Sequence, residues 1–408
     1  MASTGTSTAM ADALTTERAA LKETGGVVEG TIATNVAPST PAKPADARAE
    51  RTLSRDVEAF GKITGREEDW RFTPLARLHG LHDGTAVVNG ELPVEITAPA
   101  GSTVETIGAD HELVGCALLP ADRSAALAMR DFAKGTLVTL DGELDEPVVL
   151  RFTGTGGTSY GHVVVDVKPF AKAVVVLDHV GTAVHSGNVE LLVGDGAFLT
   201  LVSLQDWDAG SVHLSAQAAR LGRDARFKSV VVTLGGDVVR LVPTVSYAAP
   251  GGDAELLGLA FADAGQHLEH RLSVEHTVPQ CKSRVTYKSA VQGDGARTVW
   301  IGDVLIRAGA SGTDTYELNR NLLLTDSARA DSVPNLEIET GEIAGAGHAS
   351  ATGRFDEEQL FYLQARGITA VEAKRIVVQG FFAEVLQQIG VPSLEERLSE
   401  AVERELSR

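Results

Sequence analysis

One histidine set among small residues is the first feature with chemical potential. In AGAGHASATGRFDEEQLFYLQARGI, residues 344 to 368, His348 is flanked by Gly, Ala and Ser, and a helical pattern begins eight residues later. Small neighbours leave an imidazole unscreened, so the residue is either idle in a loop or held open for a ligand. The densest histidine group is HLEHRLSVEH, with His267, His270 and His276 beside Glu269 and Glu275. On a strand His270 and His276 share a face, but six residues at about 3.3 Å each hold them about 20 Å apart, too far for one metal. The group reads as polar decoration of an edge or outer face. Asp314, Glu317, Asp326, Asp331, Glu337 and Glu339 are candidates for carboxylate chemistry on a polysaccharide by composition only. With 5% aromatic residues and three Trp, stacking platforms for a sugar are few. HExxH, Walker A and a GxSxG with suitably placed partners are absent, and the glycines of GTGGTSYG at 154 read as a loop.

The whole chain sets bounds on what these residues can do. Its 408 residues, 43% hydrophobic, suffice for two or three domains with a substantial core. A formal charge of −19 and a pI near 5.0 repel a nucleic-acid backbone, and no basic patch offsets that field. Cys116 and Cys281 lie far apart, which fits a reducing compartment, with cytoplasm the expected location, and excludes a thiolate zinc site. No apolar run approaches the roughly 20 residues that span a bilayer, so neither export nor membrane insertion is expected.

Four segments follow from texture. Residues 1–50, rich in Ala, Thr, Ser and Pro, read as a disordered tail. Residues 51–85 read as an N-terminal helical segment, with a helix from Ser54 through Phe60 and punctuation at Gly65 and Pro74. Residues 86–350 form an all-β core, with runs such as VVLRF, HVVVDV, AVVVLDHV and SVVVTL bounded by Gly and Asp. Small residues precede outgoing strands, and the alanines at 197, 225, 254, 296 and 328 step by 28, 29, 42 and 32, suggesting stacked coils without a strict repeat. Strands apolar at consecutive positions suit a sheet buried on both faces or paired in parallel. A parallel β-helix explains both features, and a β-sandwich stays open. Residues 351–408 form a C-terminal helical module. Asp356 and Gln359 form one capping pair, with Phe355 and Leu360 as a hydrophobic staple and Gly367 as a stop. Thr369 and Glu372 start a second helix with Val378, Phe382, Val385 and Ile389 on one face; Ser393 starts a third.

Four ordered blocks carry a more specific signal: EEDWRFTPL near residue 70, VEHTVPQCKSRVTYKSAVQGDGARTVWIGDVLI, TDTYELNRNLLLTDSARADSVPNLEI and GHASATGRFDEEQLFYLQARGI. In order and spacing they resemble the SufB/SufD family, core subunits of SUF iron–sulfur cluster assembly. Where SufB carries an essential cysteine this chain has Asn319, and where SufB tends to carry Glu after the histidine it has Ala349. The pattern looks like the SufD branch, whose Cys-Ser-His corresponds here to Ala346, Gly347 and His348.

The resemblance implies a right-handed parallel β-helix between helical flanks and a non-catalytic scaffold. It implies pairing with a SufB-like paralogue, with a homodimer also open, and docking of the SufC-like ATPase by the C-terminal helices. Phe361, Tyr362, Phe381 and Phe382 either pack that module or face the ATPase. His348 would lie at the subunit interface as a shared ligand to transient iron or an iron–sulfur cluster, its thiolate partners coming from the other chain. No intrinsic cofactor is expected. Cys281, in the family's PxCxS block, reads as a buried small hydrophobe. The alternatives are a SufB-like scaffold that holds a cluster alone and a carbohydrate-active β-helix enzyme.

Overall fold

The valine-rich runs are extended strands. The structure is a computed structural model that describes residues 51–355, 357–390 and 392–406. The expected tail and the Asp356 cap lie outside these residues. Two short strands, β1 (Val94–Thr97) and β2 (Ser102–Ile107), pair antiparallel with β4 (Val148–Val167) and β3 (Gly135–Leu140). From β3 onward the other pairings are parallel: β5 (Lys172–Val193), β6 (Phe198–Trp207), β7 (Val212–Leu221), β8 (Arg226–Thr233), β9 (Val238–Tyr247), β10 (Asp253–Ala262), β11 (His267–His276), β12 (Lys282–Val291), β13 (Arg297–Ile306), β14 (Asp314–Leu323), β15 (Arg329–Ile338) and β16 (Gly345–Arg354). β3, β4, β5 and β6 pair in chain order, and from β6 onward each strand also pairs with the strand two positions away in the chain. Even strands from β6 stack on one face and odd strands from β7 on the other, while β5 supplies both. This is a parallel β-helix, as the sequence predicts.

Lys172, Phe198, Arg226, Asp253, Lys282, Asp314 and Gly345 align in register, so one coil takes 26 to 32 residues. The irregular alanine spacing has a simple cause. Ala197 and Ala225 precede strands of the even face, whereas Ala296 and Ala328 precede strands of the odd face; the 42-residue step crosses from one face to the other. Cys281 is fully buried just before β12, in the corner position that Ala197 and Ala225 fill before β6 and β8. Its thiol is pushed up by burial, as befits a small apolar filler.

Strands read as continuous apolar runs because both of their faces are covered. Inside, Val175, Leu201, Leu256 and Val285 belong to one core. Outside the even face, Val202, Val230, Val232, Leu257 and Leu259 pack against Val378, Phe382 and Val385 of the C-terminal helices. Outside the odd face, Val212, Leu214 and Val238 pack against Trp70, Leu78 and Leu81.

Three expectations need correction. The helix from Ser54 to Phe60 is only a 3-10 turn, Val57–Ala59, because Arg123 takes the carbonyls of Val57 and Phe60 at 3.0 and 3.1 Å. The glycines of GTGGTSYG lie inside β4, where the register slips between Thr155 and Thr158 as the chain turns the coil's corner. The region also holds a helix, α1 (Arg123–Asp131), capped by Asp122 and buried through Ala125, Ala126, Leu127 and Met129. At the C-terminus α2 (Glu357–Gln364), α3 (Ala370–Leu386) and α4 (Pro392–Leu406) follow the predicted signals: Thr369 caps α3, and Val378, Phe382, Val385 and Ile389 are buried.

The EEDWRFTPL segment is pinned by a buried charge cluster. The Arg240 guanidinium lies 3.9 Å from the Trp70 ring and 3.3 Å from Glu269, which also accepts a 2.8 Å hydrogen bond from the Thr73 hydroxyl. Burial alone would raise the Glu269 carboxyl, but the His267 hydrogen bond and the charges of Arg240, His267 and Arg271 hold it at about 2. Glu269→Gln is expected to destabilise the fold by about 3–5 kcal/mol in chemical denaturation, because buried arginines lose their counter-charge. The deficit is full above the ordinary carboxylate value of 4.5 and shrinks as pH falls towards about 2, where the native carboxylate is protonated as well.

Candidate functional site

In a parallel in-register stack, residues at equivalent positions form columns along the interior. One column runs Val175, Leu201, Ser229, Leu256, Val285, Glu317 and His348. It is mostly aliphatic until the last two coils, where it becomes an acid and an imidazole. His348 is therefore not a loop residue. It stands on β16, the last strand of the even face, directly over Glu317, and it is exposed. Its neighbours confirm the direction of the face: Ser350 Oγ donates to Asn319 Oδ1 at 3.4 Å, and Asn321 Nδ2 donates to Thr352 Oγ1 at 3.1 Å. Both contacts lie inside the coil, and His348 is in phase with them.

Glu317 is 1% exposed, and neither carboxyl oxygen has a hydrogen-bond partner. Burial pushes its carboxyl up to about 8. An unsatisfied buried polar group costs about 1–3 kcal/mol, and an aliphatic side chain would fit the column without that penalty. The carboxyl crosses the interior towards β13, where Gly302 makes room: a Cβ there would lie 2.7 Å from Glu317 Oε1 and 2.6 Å from the Trp300 ring. Asn319, by contrast, is satisfied, accepting from Asn321 Nδ2 at 2.9 Å and from Ser332. It faces the same interior two residues from Glu317. Beyond this last coil the sheet ends: β16 pairs with β14 and β15 with β13, and neither has a further strand neighbour among the described residues.

The other expected residues separate by burial. His267, His270 and His276 are not surface decoration. His267 is buried beside Glu269, His270 accepts or donates with Thr233 Oγ1 at 2.9 Å, and His276 stacks on Tyr247 inside the coil. Of the four aromatics, Phe382 is fully buried against the chain's own strands and Phe381 is partly covered by Lys288, whose ammonium donates to the Phe381 carbonyl at 2.8 Å and to Glu384 at 2.6 Å. Phe361 and Tyr362 are 73% and 57% exposed, and Arg366 lies 3.6 Å over the Tyr362 ring.

Sequence reasoning missed a second group. His179, His185 and His213 come together across two coils, with ring centroids 5.0 and 5.4 Å apart, beside a cavity of about 290 Å³. Burial lowers His179 to about 4 and His185 to about 3, so these rings are neutral. Their chain separation hides them; only the coil register brings them together. Among the described residues no group of three His, Cys, Asp or Glu side chains is arranged to hold a metal.

With the β-helix and its open end defined, comparison with known proteins becomes informative. Residues 150–381 match the family model described as SUF system FeS cluster assembly, SufBD core domain. The chain belongs to the SufBD family. It is 54% identical over 369 residues, 88% of this chain and 93% of the relative, to the iron-sulfur cluster assembly SufBD family protein Rv1462 of Mycobacterium tuberculosis. It is 52% identical to ML0594 of Mycobacterium leprae over 87% of this chain and 93% of that protein. A second M. tuberculosis SufBD family protein, Rv1461, is 29% identical over 207 residues, 51% of this chain and 24% of its own length.

The different surroundings of the aromatics predict different effects. Phe382→Ala should destabilise by about 3–5 kcal/mol, whereas Phe361→Ala should change stability by less than about 0.5 kcal/mol; urea unfolding of both variants checks this. Equal effects would contradict the packing described.

Proposed function

We propose that the chain is a non-catalytic, SufD-like scaffold subunit that pairs with a SufB-like paralogue through the open end of its β-helix. The observation that carries this reading is His348, on the inward face of the last coil, where the sheet has no further strand neighbour among the described residues. Unpaired strand edges favour addition of another chain's strands. An imidazole there would supply one ligand to transient iron or a nascent cluster, and the partner would supply the thiolates. Asn319 at the position of the SufB cysteine favours the SufD-like role over a scaffold that holds a cluster alone. Two SufBD family proteins in one mycobacterium, matching this chain at 54% and 29%, support a paralogous pair. The two cysteines, free rather than paired, suit a reducing cytoplasm.

The SufC-like ATPase would dock on the exposed Phe361 and Tyr362 side of the C-terminal module. Lys228 and Lys288 tie the end of α3 to β8 and β12 through the Gln388 and Phe381 carbonyls, at 2.7 and 2.8 Å. Movement of an attached ATPase would therefore reach the sheet through short, partly buried contacts.

Co-production with candidate partners tests the reading. The full chain should copurify with a SufBD-family paralogue and an ATPase. Phe361→Ser with Tyr362→Ser should release the ATPase and keep the paralogue. His348→Ala should keep both partners and lower cluster formation at least tenfold. Unchanged cluster formation in His348→Ala would remove the site assignment.

A further inference from the structure

The most conspicuous residue that the family reading leaves without a role is Glu317. Its column is otherwise built of Val175, Leu201, Leu256 and Val285, with one serine, so the fold asks for an aliphatic side chain where the acid stands. A buried polar group without a partner calls for an explanation, and a ligand that is absent at rest is one of the few available. Both Glu317 oxygens are unpartnered, and they lie in space that Gly302 leaves open beside the Trp300 ring. The next residue up the column is His348, one strand spacing or about 4.8 Å away. Among the described residues, no hydrogen bond, ion pair or ring contact occupies the His348 imidazole.

We propose that Glu317 is a second ligand of the His348 half-site, so that this chain offers a carboxylate and an imidazole to one Fe(II) ion. The assignment rests on the reading of His348 as an iron ligand. The chemistry is matched, since oxygen and imidazole nitrogen together suit a divalent first-row metal, while the softer thiolates come from the other subunit. Two ligands do not make a closed site. That leaves coordination positions for the partner and for sulfide, as a place of assembly and transfer requires. The three rotatable bonds of the glutamate let it lie against Trp300 when metal is absent and turn towards His348 when metal arrives. Asn319, two residues on, has its hydrogen bonds filled and stays a structural residue of the rim.

The test is an anaerobic Fe(II) titration of the full chain copurified with its pairing partner, comparing wild type, Glu317→Gln, Glu317→Leu and His348→Ala. Glu317→Leu extends the aliphatic column and guards against a folding defect. Both Glu317 variants are expected to pair normally, to melt at or above the wild-type temperature, and to bind Fe(II) at least tenfold more weakly. His348→Ala should lose affinity to a similar degree, and combining it with Glu317→Gln should add little. Wild-type affinity in both Glu317 variants alongside weakened binding in His348→Ala would overturn the Glu317 assignment and leave His348 standing. Wild-type affinity in His348→Ala would overturn the His348 reading and this inference with it. A lowered melting temperature in both Glu317 variants would show the acid to be structural and would also overturn the proposal.

Discussion

Parallel in-register stacking is the constraint from which the other features follow. Each coil satisfies its backbone hydrogen bonds by lying on another coil, so the arrangement has no internal reason to stop. Where it stops, at β15 and β16, two strand edges and one layer of interior side chains are left open together among the described residues. The sharpest change is in one column, where Glu317 and His348 follow Val175, Leu201, Leu256 and Val285; the neighbouring columns, with Asn319 and Ser350 over Tyr287 and Asn321 and Thr352 over Ser289, are polar at the end as well. An end that must be covered and an interior that becomes polar at that end are one physical feature.

The coverings of the two outer faces keep the end distinct. The N-terminal segment lies across odd strands through Trp70, Leu78 and Leu81, and α3 and α4 lie across even strands through Phe382, Val385 and Leu398. The first is fastened by charge, with Arg240 between Trp70 and Glu269; the second is fastened by lysines that reach helix carbonyls. The first anchor is buried deeply enough to escape most solvent screening, and the second is partly buried. The helical module that carries the exposed Phe361 and Tyr362 is therefore packed on strands of the same face whose last member carries His348.

Legibility in the sequence followed the range of the interactions involved. The start of α3 at Thr369 and the stop at Gly367 were readable because caps and helix breakers act within four residues. Strand identity was readable from β-branched runs. The 3-10 turn at Val57 was not, since its carbonyls are taken by Arg123, distant in the chain. The same limit applied to the site. His348 could be singled out by its small neighbours, but its place inside the coil depends on register with Glu317, set 31 residues earlier. Glu317 was one acid among six until the stack showed its aliphatic neighbours. His179, His185 and His213 likewise meet only because coils align, and the buried His270 and His276 looked like surface residues because strand alternation alone does not say which face is inside.

The most direct test of the account is hydrogen–deuterium exchange on the full chain, alone and with its pairing partner. Amides of residues 329–338 and 345–354 should exchange readily in the isolated chain and become protected on pairing, with little change in β7 and β9. Protection confined to the N-terminal segment or to the outer faces, with β15 and β16 unchanged, would contradict the claim that the open end is the working surface.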